Sequence, residues 1–280
     1  MKNKAESGLS HFGEMFRKYK GLLFELTRKD IKLKYRDSWL GIFWSFLQPL
    51  LNMIVLSVVF GALLGKNLKD VVCYPVFLFS GRLLFEFFTS STKKALVSFR
   101  VNSAIIKKVY VPKYMYPLSS IFANFITLAI SLLCFIGVWV FYRLTGFSGG
   151  DALSVNAYAL LFFVPLILLL ILVIGVGFIL AVLQVYFRDV QYIWDVFCTL
   201  LFYMVPIIYT INSLSKDSWA RTLIKFNPMY SIIELFRQCV LYGRPMEWDM
   251  LLYASAWAFM TLAIGIYFFN KKSDDIIFHL

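Results

Sequence analysis

The chain has 280 residues, 60% hydrophobic and 19% aromatic, with 28 basic against 16 acidic side chains and a net charge of +12. That is too apolar for a soluble domain of this length, which excludes a soluble enzyme or binding module and leaves one membrane-embedded domain. The cations collect beside apolar runs, the positive-inside pattern of a membrane protein rather than a groove for DNA.

The first twenty residues are polar and charged, so no cleavable signal sequence is expected and targeting falls to the first span. From about Ser10 to Arg36 the spacing predicts an amphipathic helix. Phe12, Phe16, Tyr19, Leu23 and Leu26 recur at three- and four-residue steps with lysines and arginines around them, as in a helix lying in the membrane interface; a soluble extension packed on a partner is the alternative. Arg28, Lys29, Lys32, Lys34 and Arg36 form a basic collar at its end, which anionic lipid explains as well as a phosphorylated substrate does. Tyr35-Arg36-Asp37-Ser38-Trp39-Leu40-Gly41 then sets cations and an indole where water meets lipid, and Ser38 to Gly65 carries no formal charge.

Gaps in charge predict an all-α integral membrane domain over 39–270 with six spans, at about 39–65, 71–92, 114–142, 153–187, 192–212 and 250–270. Segment 1–38 is the interface helix and 271–280 a cytoplasmic tail. Of the 28 basic residues, nineteen fall in 1–38, 93–113, 188–191 and 271–280, which puts both termini in the cytoplasm. Gly61 and Gly65 before Lys66 are superficially like a nucleotide-binding loop, but only three residues separate them and they end an apolar run. Close helix packing is the better reading, and the chain is not expected to bind ATP itself.

Between the second and third spans, Asn102-Ser103 is read as the cap of a short helix, Ala104–Tyr110, stopped by Pro112. Ile105, Ile106 and Val109 lie beside Lys107 and Lys108, a greasy-faced plug for a groove on a cytoplasmic partner; anionic headgroups alone also explain the cations. Arg188-Asp189 is read as a pair fixing the turn into the fifth span and bracing the interface with the cytoplasmic partner, with a solvated loop pair as the alternative, and Asp195 is expected at headgroup level. Within 213–249, Asn227-Pro228 reads as an N-cap followed by proline at N1, opening a short apolar segment that ends at Gly243; at about 219–243 it is re-entrant or interfacial on the outer side, where Asn227, Pro228 and Tyr230 are gate residues. Cys73, Cys134, Cys198 and Cys239 have no metal or redox spacing and read as buried apolar residues, with a Cys73–Cys239 disulfide as the minor alternative.

Four stretches carry a family likeness: Thr27-Arg28-Lys29-Asp30-Ile31-Lys32 through Gly41; Trp44-Ser45-Phe46-Leu47-Gln48-Pro49; Ile105-Ile106-Lys107-Lys108-Val109-Tyr110-Val111-Pro112; and Tyr186-Phe187-Arg188-Asp189-Val190. Asn227-Pro228-Met229-Tyr230 fits as well. The sequence resembles the membrane (permease) subunits of ABC exporters that move lipid-linked polysaccharides, O-antigens and teichoic acids across the bacterial cytoplasmic membrane. The resemblance implies a homodimer with two ATPase subunits, which hold the ATP and magnesium, so no cofactor is expected in this chain. It also implies a coupling helix at about 102–112 and outer gate helices. Arg82 and Glu86, four apart in the second span, depart from the mostly apolar and aromatic family pattern; an i,i+4 ion pair facing the bundle or a pore is the expected arrangement.

A sliding polymer wants aromatic walls rather than tight polar pockets, and Phe43, Trp44, Phe197, Phe202 and Tyr203 are the candidates, with packing or lipid contact as the alternative for each. A membrane-embedded enzyme of glycan or lipid metabolism would need clustered carboxylates or histidines. Asp274-Asp275 stands in a polar tail without supporting ligands, and neither His11 nor His279 sits in a span. A secondary transporter has some footing in Arg82 and Glu86, but no internal repeat is evident.

Overall fold

The structure is a computed structural model that describes residues 3–36, 39–64, 71–108, 111–153, 156–215 and 218–272; among these there are helices and no strands. Helix α1, Asn3–Tyr35, is described at side-chain level from Tyr19 onward. Leu23 and Leu26 are buried against Tyr114, Met115, Tyr116 and Leu118, while Phe24 and Leu33 stay exposed at 65% and 50%. Helix α1 thus packs one face on protein and leaves apolar side chains exposed on another. Asp30 ties it down by accepting from the hydroxyls of Ser119 and Ser120, each at 3.2 Å.

Gly41, at φ +51°, opens the 3-10 turn Gly41–Phe43 that redirects the chain into α2, Trp44–Leu64. Then follow α3, Tyr74–Val101, and the single turn α4, Ser103–Ile106. Helix α5, Met115–Thr145, is closed by Gly146 at φ +65°. After two 3-10 segments come α6, Phe163–Tyr186, and α7, Val190–Met204. The chain ends with α8, Trp219–Phe226, α9, Pro228–Val240, and α10, Trp248–Lys272.

Helix α3 is the hub and packs on α2, α5, α6, α7 and α9. Helices α6 and α10 meet backbone to backbone. A Cβ on Gly175 would stand 2.5 Å from Leu262 N, and one on Gly265 2.5 Å from Gly175 O. Glycine is what allows that approach, which maximises dispersion contact where lipid gives no hydrophobic drive.

Among the described residues, four helical stretches are long and apolar enough to cross a membrane: Trp44–Gly61, Met115–Thr145, Ala157–Tyr186 and Trp248–Lys272. They correspond to the first, third, fourth and sixth expected spans. The second and fifth fall on α3 and α7, which do not reach that threshold. Arg82, Glu86, Lys93 and Lys94 make α3 too polar, although it is 28 residues and roughly 42 Å long. Helix α7 has 15 residues because Pro206 follows and Val205 before it is extended (φ −87°, ψ 131°). The expected Ala104–Tyr110 helix is also different: one turn at Ser103–Ile106 is present, and Val109 and Tyr110 lie outside the described residues. All four cysteines are free and buried, so the disulfide alternative is not formed.

Candidate functional site

The basic collar divides by direction. Arg28 is exposed and near Glu25 at 3.9 Å, and Lys32 and Arg36 are exposed as well. Lys29 instead donates to Asn102 Oδ1 at 2.6 Å, and Asn102 Nδ2 donates to the Ser98 carbonyl at 2.9 Å. Asn102 is buried and holds α1 to the end of α3 rather than capping α4, so α4 starts without a side-chain cap. Ile106 packs on the cluster beneath α1, and Lys107 and Lys108 are exposed at the tip with Ile105 half-buried. The tip and α1 are therefore linked directly through Lys29–Asn102. Arg188 and Asp189 are exposed at the α6–α7 turn, where Gln184 Nε2 donates to the Arg188 carbonyl at 3.3 Å and the Tyr192 amide to the Asp189 carbonyl at 3.0 Å.

Lys34, the remaining collar residue, lines a cavity of about 300 Å³ between α1, α2, α3 and α5. Trp44, Gln48 and Asn52 of α2, Arg82 and Glu86 of α3, and Asn124 of α5 share that cavity. The Arg82–Glu86 pair closes at 2.9 Å as its spacing predicts, with the side chains 30% and 50% exposed, and the Arg82 guanidinium lies 5.3 Å from the Phe202 ring centre. Tyr35, at the cavity's α1 end, hydrogen-bonds with Ser45. Burial raises its pKa, but the Ser45 bond and the neighbouring Lys34 charge outweigh burial and leave the phenol below its ordinary value.

The aromatic candidates do not form one wall within a single chain. Phe43 stacks on Phe46, Phe197 lies 5.2 Å from Trp194, and Phe202 pairs with Phe85 and Tyr203 at 5.5 Å each. Trp44 shares the cavity with Arg82, and Phe202 lies against the Arg82 guanidinium. Phe43, Trp44, Phe197 and Tyr203 are exposed, alongside Ile193, Val196 and Leu200 on α7 and Ile54, Val55 and Val58 on α2. Asp195 pairs with Lys93 at 2.9 Å and is 46% exposed, and Trp194 Nε1 donates to Thr92 Oγ1 at 3.0 Å, so α7 is pinned to α3.

At the other end, Asn227 caps α9 through Oδ1, which accepts from the Met229 amide at 3.0 Å; Pro228 takes the first turn and Tyr230 is buried. The residue that sequence reading passed over is Arg237, 1% exposed within α9. Its Nη1 donates to the Pro206 carbonyl at 2.8 Å, Nη2 to the Phe77 carbonyl at 3.2 Å, and Nε to Ser80 Oγ at 3.3 Å, with Glu234 Oε2 at 3.8 Å. The guanidinium carbon also lies 3.6 Å from the Phe77 ring centre. Gly81 leaves room for this fork, because a Cβ there would meet Nη2 at 2.6 Å. One cation thus joins α9, the start of α3 and the break after α7. A second cavity of about 390 Å³, lined by Glu234, Arg237, Gln238 and Glu247, opens beside it. The only sequence signal was an arginine three residues after a glutamate inside an apolar run. Among the described residues no group of His, Cys, Asp and Glu is placed to hold a metal.

These features are a helical body with long apolar helices, a small basic tip at one end and a clamped helix pair at the other. Comparison with known proteins identifies its class. Residues 21–241 match the model of the ABC-2 type transporter family. The chain is 31% identical over 254 residues to the O-antigen export system permease protein RfbA of Klebsiella pneumoniae, covering 89% of this chain and 91% of that one. It is 28% identical over 224 residues to the RfbA of Myxococcus xanthus, covering 80% and 81%. It is also 24% identical over 252 residues to the polysialic acid transport protein KpsM of Escherichia coli, covering 90% and 93%. The chain therefore belongs to the ABC-2 type transporter family of multi-pass membrane proteins.

Proposed function

We propose that this chain is the transmembrane permease subunit of an ATP-driven exporter that moves a polysaccharide outward across the bacterial cytoplasmic membrane. The observation that carries the reading is the nearly end-to-end match to permeases named for O-antigen and polysialic acid export, at 24–31% identity. The cargo is a glycan or teichoic acid polymer on a polyprenyl diphosphate. The working unit is a homodimer with two ATPase subunits that hold the ATP and magnesium. Helix α3 and helix α7 complete a six-span bundle with both termini cytoplasmic. In support, the ionisable pair of α3 is internally neutralised and α7 exposes the apolar stripe Ile193, Val196, Phe197 and Leu200.

In this reading the tip from Asn102 to Lys108 seats in the ATPase, together with the Arg188–Asp189 turn. ATP-driven closure pushes the tip, α1 follows through Lys29–Asn102, and the path widens along the dimer axis. The exposed aromatics of α2 and α7 give the polymer a surface for its C–H faces while water keeps its hydroxyls. Helices α8 and α9, with Asn227, Pro228 and Tyr230, gate the outer end. Depleting the chain in its host tests this directly. Lipid-linked polymer should accumulate inside and vanish from the surface, read by glycan staining of fractionated cells; undiminished surface polymer would remove the proposal.

A further inference from the structure

We propose that the cavity between α1, α2, α3 and α5 binds the phosphate-bearing head of a lipid, with Asn124, Lys34 and Arg82 as its donors. The inference rests on the exporter reading for why such a lipid enters, but the argument for the site is local. Asn124 is 4% exposed and lines the cavity. Lys94 Nζ donates to Asn124 Oδ1 at 2.9 Å. Lysine has no acceptor, so this bond fixes which way the amide faces. Asn124 Nδ2 is then left buried with no hydrogen-bond partner among the described residues. A buried donor without a partner is unfavourable until something accepts from it, and Asn124 belongs to the cavity wall.

The surrounding charge selects the acceptor. Lys34 Nζ sits 3.5 Å from Thr127 Oγ1, one turn along α5 from Asn124, and also lines the cavity. Arg82 faces it from α3, held by Glu86, and Lys94 stands behind Asn124. Asp30, the other nearby acid, is engaged by Ser119 and Ser120. Cations therefore outnumber acids, and the unused donors call for anionic oxygens. A volume of about 300 Å³ equals roughly ten waters, enough for a phosphate or diphosphate with an adjoining ring. Trp44, Phe79, Leu83, Phe87 and Leu128 add an apolar wall beside the polar lining, a surface that a free inorganic ion would leave unused. Arg28 and Lys32 face elsewhere, so the recognition narrows from the whole collar to Lys34 plus residues of α3 and α5.

The test uses the full chain with its ATPase in phosphatidylethanolamine nanodiscs. Undecaprenyl diphosphate, phosphatidylglycerol and inorganic phosphate are titrated in separate arms and bound species are read by native mass spectrometry. Asn124→Asp keeps an acceptor for Lys94 but removes the free donor and adds a negative charge. Lys34→Gln is on an exposed side chain, so folding is not at risk. Each should weaken binding of a phosphate-bearing lipid at least about tenfold. Unchanged lipid affinity in both variants overturns the site, and inorganic phosphate binding as tightly as the lipids overturns its assignment to a lipid head. Loss of binding in the variants, with no ATP-driven transport by the unaltered complex, keeps the site and removes the exporter reading. Unchanged binding alongside normal ATP-driven transport does the reverse.

Discussion

Replacing Arg237 with methionine should cost about 3–5 kcal/mol of folding free energy, the range for breaking a buried charged cluster from one side. The side chain is 1% exposed and reaches from α9 to two other elements, the start of α3 and the break after α7, through donors at 2.8 to 3.3 Å. Methionine fills most of the volume, so the loss is polar rather than cavity-driven. The Pro206 carbonyl would lose its donor, and Glu234 would lose its cation. Arg237→Lys should cost less, about 1.5–3 kcal/mol, because an ammonium keeps the charge and one carbonyl bond but not the fork. Unfolding free energies in detergent or bicelles, measured by steric trapping, give the ranking. A methionine variant within about 1 kcal/mol of the unaltered chain, or a lysine variant as damaging as methionine, would refute the claim that this fork clamps α9 to α3.

Further expectations follow from separate parts of the molecule. Gly175→Ala and Gly265→Ala should each cost at least about 1–3 kcal/mol, read in the same unfolding assay, because the added methyl would meet backbone that has no room to shift. Ile105→Ser combined with Lys107→Gln and Lys108→Gln should leave the chain inserted but abolish copurification of the ATPase; retained copurification would move the docking surface elsewhere. Arg28→Gln with Arg36→Gln should cut export without changing insertion, and unchanged export would take these two outward-facing cations out of the mechanism. Phe197→Ala and Tyr203→Ala should slow polymer movement through exposed positions whose truncation leaves the packed core intact; an unchanged transport rate would place them outside the path.

What was legible in the sequence is what short-range rules govern. The Asn227 cap, the Pro228 start, the Arg82–Glu86 pair and the α1 stripe all depend on residues within four positions of one another. Six spans were expected; among the described residues apolar length alone supports four, while charge in α3 and a proline after α7 cut the signal at the other two. Arg237 and Asn124 were missed because their partners lie far off in the chain: Ser80 is 157 positions from Arg237, and Lys94 is 30 from Asn124. The α4 turn came out shorter than expected for a related reason. Asn102 has good capping chemistry, but Lys29, 73 positions away, takes its side-chain oxygen.

Reconstitution of the purified chain in proteoliposomes, with and without its ATPase, addresses the origin of the driving force. Radiolabelled lipid-linked polymer should cross only when the ATPase and ATP are both present, and the chain by itself should release no phosphate from ATP. Polymer crossing at the same rate without the ATPase, or nucleotide hydrolysis by the chain alone, would contradict a permease that takes its energy through the tip between α3 and α5.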